Sequence, residues 1–299
     1  MQGTAPRISL TYPSVVILQR CGPVAVLPLT VCTLNLCGMD RVTGKSKTAA
    51  EVASGQLTGA RELQEDALGM YLPVADSGPR AGEVLLVLAD GMGGHAGGDV
   101  ASRLITDSFS AAYRECAGSV RGALRTSLDL ANEALAGLIA SEPRLSGMGT
   151  TLVGCVIAEG RLYWISVGDS PLWLFRDATL RRLNADHSMR PLLDDMVRTG
   201  SMSREAARVD GRRNLLFSAV SGGTIAMIDL CEEPVPLQAG DLVMLASDGV
   251  ETLEEAELVI LLQDPDILSV DELAGKLLAA IEAAAASHQD NASLILYRC

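Results

Sequence analysis

Glu65, Asp66, Asp90, Asp248 and Asp290 are spread over more than two hundred positions, yet their settings are alike. Asp90 ends the apolar run Val84-Leu85-Leu86-Val87-Leu88-Ala89 and is followed by Gly91. Asp248 ends Leu242-Val243-Met244-Leu245-Ala246-Ser247 and is followed by Gly249. Both read as a carboxylate at the rim of a buried strand, beside a residue that lets the backbone turn sharply. Carboxylates brought together repel, and burying them unpaired is costly. Divalent cations remove that cost, so the pattern points to a metal site built from oxygen ligands. Such donors favour Mg²⁺ or Mn²⁺ over zinc or copper. A hard cation held this way can acidify a bound water into a nucleophile.

Other chemistries find less support. The run Gly91-Met92-Gly93-Gly94-His95-Ala96-Gly97-Gly98 is not a phosphate-binding Walker loop, because no Lys-Ser or Lys-Thr follows. It is not a dinucleotide fingerprint either, since the acid precedes the glycines. It reads as a place of close backbone approach to a charged group, at the start of a helix near Asp99. His95, His187 and His288 are far apart and form no H-E-x-x-H motif. The seven cysteines are odd in number and contain no C-x-x-C pair. Neither a disulfide framework nor a zinc site is indicated, and a reducing compartment is the simplest reading. Cys155 sits mid-strand as core packing.

The acids must be carried by regular elements, and the hydrophobic pattern supplies them. Residues 84–89 form a strand. Residues 99–117 place Ala101, Leu104, Ile105, Phe109, Ala112 and Tyr113 at helix spacing, and 119–140 repeat it with Val120, Leu124, Leu128, Ala131, Leu135 and Leu138. Strands follow at 151–158, 161–167 and 171–176, joined by short turns such as Glu159-Gly160, which is antiparallel connectivity. A short helix begins at Pro191 and stops at Gly200. A strand at 241–247 leads to a helix near 253–263, with Thr252 and Glu255 spaced as a capping box. Ser269 and Glu272 repeat that device before a helix over 270–286. The chain ends in a strand from Ala292 to Tyr297. This order implies an α+β fold, with helices packed on antiparallel sheets.

A chain of 299 residues has room for one large domain or two small ones. Aromatics are only 3%, so the core must be built from Leu, Val, Ile and Ala. The net charge of −13 leaves no basic footprint for nucleic acid. Residues 1–54 read as an N-terminal extension, disordered or partly spurious, with Met39 an alternative start. Residues 21–39 lack charge, but Pro23, Pro28, Thr30, Thr33 and Asn35 suit neither a membrane helix nor a signal peptide. A cytoplasmic protein with no membrane partner is expected, the alternative being membrane association through 21–39. The folded domain spans 55–299.

In order, the chain carries Arg61-x-x-Gln64-Glu65-Asp66, Ala89-Asp90-Gly91-Met92-Gly93-Gly94-His95, Gly149-Thr150-Thr151, Val167-Gly168-Asp169-Ser170, Asp186-His187-Ser188, Ser247-Asp248-Gly249 and Asp290-Asn291. Together these motifs resemble the metal-dependent protein Ser/Thr phosphatases of the protein phosphatase 2C family in its bacterial form. The resemblance covers about residues 55–299. It implies a four-layer αββα sandwich, two antiparallel sheets flanked by helices, with the site at one end between the sheets. Asp90 would bridge two metals, Mg²⁺ or Mn²⁺, and the Gly91 carbonyl would add an oxygen to one. Asp248 and Asp290 would bind the other, and Glu65 and Asp66 would bind directly or hold metal-bound waters. Asp169, with Asp248, matches a third, looser metal position. Arg61 would grip the substrate phosphate, with Asn291 as a further substrate-binding residue. Residues 178–221 would form a flap that helps choose substrates. Phosphorylated proteins, substrates of a Ser/Thr kinase in a signalling role, are the implied partners.

The match has departures. Gln64 stands where Asn is more usual. Pro171 stands where the family commonly has Arg, which removes a positive charge and a strand N–H. Met92 replaces a histidine proposed as proton donor in eukaryotic members, which leaves a metal-bound water or His95 for that task. Glu251 and Thr252 follow Asp248 where some relatives place a further acid. Two functions are therefore weighed: an active phosphatase, and a weakly active or inactive member that binds phosphoproteins as a regulator. Two-metal nucleases share the chemistry, but the acidic balance argues against them.

Overall fold

The computed structural model describes residues 29–35, 51–72, 78–93, 97–263 and 268–299. Strands are numbered in chain order. One sheet has the order β1 (Leu29–Asn35), β2 (Glu51–Leu57), β13 (Ala292–Arg298), β12 (Leu242–Ala246), β8 (Leu172–Arg176) and β9 (Thr179–Arg182). The other runs β10 (Asp229–Leu230), β7 (Arg161–Val167), β6 (Leu152–Ala158), β4 (Val84–Met92) and β3 (Asp66–Tyr71). β11 (Val235–Pro236) also pairs with β7, and β5 (Gly149–Thr150) with the end of β4. All pairings are antiparallel. The helices are α1 (Gly98–Glu115), α2 (Val120–Ser141), α3 (Arg190–Arg198), α4 (Arg204–Arg208), α5 (Glu255–Leu262) and α6 (Val270–Ala283).

Unbroken apolar runs such as Val84–Ala89 arise because the central strands are covered on both faces. Side chains alternate across a strand. Leu85 and Val87 of β4 meet α1 and α2, in a core with Ile105, Phe109, Leu124 and Leu128. Val84, Leu86 and Leu88 face the opposite sheet, packing with Val153, Val243, Leu245 and Ile295. β12 repeats the division: Leu242, Met244 and Ala246 lie against α5 and α6, while Val243 and Leu245 enter the inter-sheet core. Three apolar layers thus separate four layers of structure, the αββα sandwich. Cys155 is one of the inter-sheet core residues, and burial pushes its thiol pKa up.

Several elements depart from the pattern. The expected boundary at residue 55 falls inside β2, whose Val52 and Ala53 are buried and which pairs β13 over its full length. Residues 29–35 pair with β2. The rest of the segment 1–54, with the expectations placed on it, lies outside the described residues. α5 is capped by Glu254 and Glu257, not by Thr252 and Glu255. The reason is that Asp248–Thr252 forms a 3-10 helix, and Thr252 turns its hydroxyl onto Gln289 Oε1 at 2.8 Å. α3 begins one residue before Pro191, and Gly200 follows it with φ 75°. α6 carries the capping box of Ser269 and Glu272. No helix among the described residues is long and apolar enough to cross a membrane.

Ser269 accepts from the Glu272 N–H and its own N–H is held by the Glu272 carboxylate. Ser269→Ala should therefore lower unfolding free energy by about 1 kcal/mol in denaturant titration, with the fold retained.

Candidate metal centre

The rims of β3, β4, β12 and β13 meet at one end of the sandwich. Asp66 begins β3 and Asp90 lies near the end of β4, and the two are directly opposed in register. Opposed residues of an antiparallel pair share a face, so the ladder itself sets two carboxylates side by side. Asp248 opens the 3-10 helix after β12, and Asp290 stands two residues before β13. Asp90, Asp169, Asp248, Asp290 and Glu65 line one cleft of about 990 Å³, together with Arg61, Gly91 and Asn291. Every residue expected at the site is in or beside this cleft.

Backbone and hydroxyl contacts hold these acids. The Asp90 N–H donates to Thr151 Oγ1 at 2.9 Å, and the Asp90 carbonyl accepts from the Thr151 N–H at 2.9 Å and Thr150 Oγ1 at 2.8 Å. Thr151 Oγ1 meets Ser170 Oγ at 2.7 Å. The Gly-Thr-Thr and Gly-Asp-Ser motifs thus act by fixing Asp90. Ser247 Oγ donates to Asp66 Oδ2 at 2.8 Å and accepts from the Ser293 N–H at 2.9 Å. Gln64, in place of the usual Asn, accepts from the Asp66 N–H at 3.0 Å. A Cβ on Gly91 would collide with the backbones of Gly98 and Glu65, and one on Gly98 would strike the Glu65 carboxylate. That carboxylate therefore sits against the N-terminus of α1, where the helix dipole favours negative charge.

Electrostatics show the strain of the arrangement. Burial and the neighbouring carboxylates of Asp66, Asp248, Asp169 and Asp290 hold the Asp90 pKa well above its ordinary value. Burial pushes Asp66 up to about 6 and, with Asp169 adding to it, Asp248 up to about 7. Asp169 is also raised, chiefly by burial. Arginines answer part of this charge. Arg61 Nη2 lies 2.6 Å from Asp290 Oδ2 at the exposed mouth. Arg190 Nη2 is 3.5 Å from both Asp169 Oδ2 and Asp248 Oδ2, and its Nη1 pairs with Glu251. Among the described residues, no three acidic, histidine or cysteine side chains enclose an ion as they lie. The donor set still fits hard cations. Asp66 Oδ1 is buried without a hydrogen-bond partner, and the surrounding donors are carboxylate oxygens.

A family model described as Protein phosphatase 2C matches residues 63–265. The chain belongs to the protein phosphatase 2C family. The serine/threonine phosphatase Stp of Listeria welshimeri is 35% identical over 191 residues, 62% of this chain and 74% of that protein. PstP of Mycobacterium tuberculosis is 33% identical over 189 residues, 62% of this chain and 36% of that protein. A crystal structure of the M. tuberculosis phosphatase superposes with a TM-score of 0.68 at 29% identity, covering 83% of this chain and 98% of that one. The PstP catalytic domain in complex with two manganese ions gives a TM-score of 0.65 at 29% identity, covering 83% and 97%. Members of the protein phosphatase 2C family are metal-dependent, and this chain is a protein Ser/Thr phosphatase of that family.

Asn291 lines the cleft, and its amide nitrogen gives both hydrogens to the Thr58 and Leu63 carbonyls, at 2.8 and 2.9 Å. Its Oδ1 accepts from the Glu65 N–H at 2.8 Å, so Asn291 fastens the Arg61–Glu65 loop to β13. His187 is buried and accepts from the Gly168 N–H at 3.2 Å; burial lowers its pKa. His288 is exposed, and His95 lies outside the described residues. Pro171 leaves the sheet intact, because its carbonyl accepts from the Ala246 N–H at 3.0 Å. Sequence reading missed Arg190 and Gln289, and it gave Ser247, part of the Ser247-Asp248-Gly249 motif, no role. A buried serine before Asp248 and an arginine after Asp186-His187-Ser188 carry no signal in hydrophobic pattern.

Raised carboxylate pKa values fix the sign of a pH effect. Between the unfolded value of 3.8 and the folded values, the native metal-free chain holds protons that the unfolded chain has released. Its stability is full below the unfolded value and falls as pH rises through about 6 for Asp66 and about 7 for Asp248. Asp90→Asn removes one charge from the cluster. In chelator at about pH 8 it should raise the melting temperature and shrink the difference from about pH 6, whereas the wild-type chain alone should gain strongly from Mn²⁺. Scanning calorimetry at the two pH values checks both.

Proposed function

We propose that this chain removes phosphate from phosphoserine and phosphothreonine in proteins, using two Mg²⁺ or Mn²⁺ ions. Asp66, Asp90, Asp248 and Asp290 hold them, with Glu65 binding directly or through water and the Gly91 carbonyl adding an oxygen. The observation that carries this reading is the in-register pairing of Asp66 with Asp90, with Asp66 Oδ1 buried and unpartnered, in a cluster where burial and neighbouring carboxylates raise the Asp90 pKa. When bound, such ions supply an acidified water as nucleophile and positive charge against the phosphoryl oxygens.

The chain's own side chains do the rest. Arg61 stands half exposed at the cleft mouth, and its guanidinium fork matches two phosphate oxygens. Asn291 holds the loop that carries it. Thr150, Thr151 and Ser170 keep the Asp90 backbone in place, so its carboxylate needs no reorganisation. Asn214, Leu215 and Leu216 of the flap line the same cleft, tethered through the Ser188–Leu216 and Thr150–Val220 bridges. Leu63 and Leu215 are exposed along this cleft, as suits a peptide segment. Arg212 is committed to Asp210 and is no part of that surface. The partners are phosphoproteins made by a Ser/Thr kinase. The free thiols of Cys116, Cys155, Cys231 and Cys299 fit a cytoplasmic, reducing compartment.

Nothing in the site favours the inactive regulator. Asp90, Asp169, Asp248 and Asp290 line the cleft, and Pro171 precedes β8 without breaking its pairing with β12. A phosphothreonine peptide should be turned over with Mn²⁺ and not with chelator, and Asp90→Asn should lower kcat by about 10³-fold or more. Peptide binding without turnover by the wild-type chain would instead select the regulator. Arg61→Ala should raise KM roughly tenfold to hundredfold, the worth of one charge-assisted hydrogen bond, with less change in Mn²⁺ affinity by titration calorimetry.

A further inference from the structure

Arg190 is the first residue of α3 and is only 8% exposed. Its guanidinium is placed between three acids from two other parts of the chain. Asp169 comes from the turn between β7 and β8, and Asp248 and Glu251 from the 3-10 helix after β12. One nitrogen, Nη2, is 3.5 Å from an oxygen of both Asp169 and Asp248 and donates to Asn214 Oδ1 at 3.3 Å. The other, Nη1, is engaged by Glu251. Arg182 closes the same group, donating to the Asp169 carbonyl at 2.5 Å and lying 3.9 Å from Glu251.

Asp169 and Asp248 are the two acids for which a third metal ion was expected. In this chain a positive group already stands at equal distance from both. A cation entering there would have to face a buried guanidinium at close range, or expel it from three carboxylates and an amide. Like charges that share partners exclude one another. The position after Gly168-Asp169-Ser170 is also where the chain has Pro171 and no cation of its own. Arg190 reaches the same acid from the flap, which restores positive charge by a different route.

We propose that Arg190 is a built-in cation that takes the place of a third metal ion, so that the enzyme works with two ions and a fixed guanidinium at Asp169 and Asp248. This rests on the two-ion reading of the site. Arg190 is a positioning residue: it neutralises Asp248, which also serves the metal pair, and ties α3 of the flap to the metal rim. The chain therefore couples flap position to the charge of its metal ligands without using a loosely held ion.

The test counts ions and needs no substrate. The full chain, stripped of metal, is equilibrated by dialysis with Mn²⁺ up to millimolar concentration, and bound metal is measured. The wild-type chain should bind two ions and Arg190→Met three, the extra one in the weaker class; Arg190→Lys, which keeps the charge, should stay at two. Circular dichroism confirms folding, and Arg190→Gln, with the same expectation as the Met variant, serves if that variant does not fold. Three ions on the wild-type chain overturn the proposal while leaving the two-ion reading standing. Two ions on a folded Arg190→Met chain do the same. Fewer than two on the wild-type chain overturn both.

Discussion

Repulsion among carboxylates crowded at one rim is the constraint on which the site depends. Two unit charges about 4 Å apart interact by about 4 kcal/mol at an effective dielectric of about 20, a sizeable share of a domain's net stability of roughly 5–15 kcal/mol. Asp66, Asp90, Asp169 and Asp248 hold their protons more tightly chiefly because they are buried, and neighbouring carboxylates of the cluster add to this for Asp66, Asp90 and Asp248. Such a cluster persists only if the scaffold is rigid and positive charge is supplied. Arg61, beside Asp290, and Arg190, beside Asp169 and Asp248, supply some of it from within the chain. Divalent cations supply the remainder, which makes metal affinity the counterpart of the folding cost.

Rigidity comes from the layered core. β4 and β12 are each packed on both faces, so neither can shift its register without exposing a complete set of apolar side chains. Their ends carry Asp90 and Asp248. Close backbone approaches then finish the rim. Gly249 lies so near the Asn291 carbonyl that no side chain would fit, and Gln289 Nε2 donates to the Gly249 carbonyl at 3.0 Å. The two strands that bring Asp248 and Asp290 are in this way stitched together immediately beside the acids.

Much of the architecture was legible from pattern. α1, α2, α6 and the strands β4, β6, β7, β8, β12 and β13 follow from apolar spacing, because each buries a face or a pair of faces large enough to leave a periodic trace. β3, β9 and the two-residue strands left none: they lie at sheet margins or are too short for alternation to register. β2 was obscured by the composition of the segment before it, although Val52 and Ala53 are core residues. The capping box was placed two residues early, since spacing alone does not reveal that Thr252 is claimed by Gln289.

The sequence by itself determined the kind of chemistry. Acids at strand ends, glycines beside them and the order of seven short motifs are local facts, and they name oxygen-ligand metal chemistry on phosphate. Only the tertiary structure decided which groups answer the acids. Asn291 donates its amide hydrogens to the carbonyls of Thr58 and Leu63, more than two hundred residues away along the chain. Arg190 likewise met Asp169, Asp248 and Glu251 across the fold and not along the chain. Hydrogen bonds and ion pairs act over a few ångströms in space, whereas a sequence records only neighbours along the chain, and nothing in an arginine's own surroundings says which distant carboxylate it will face.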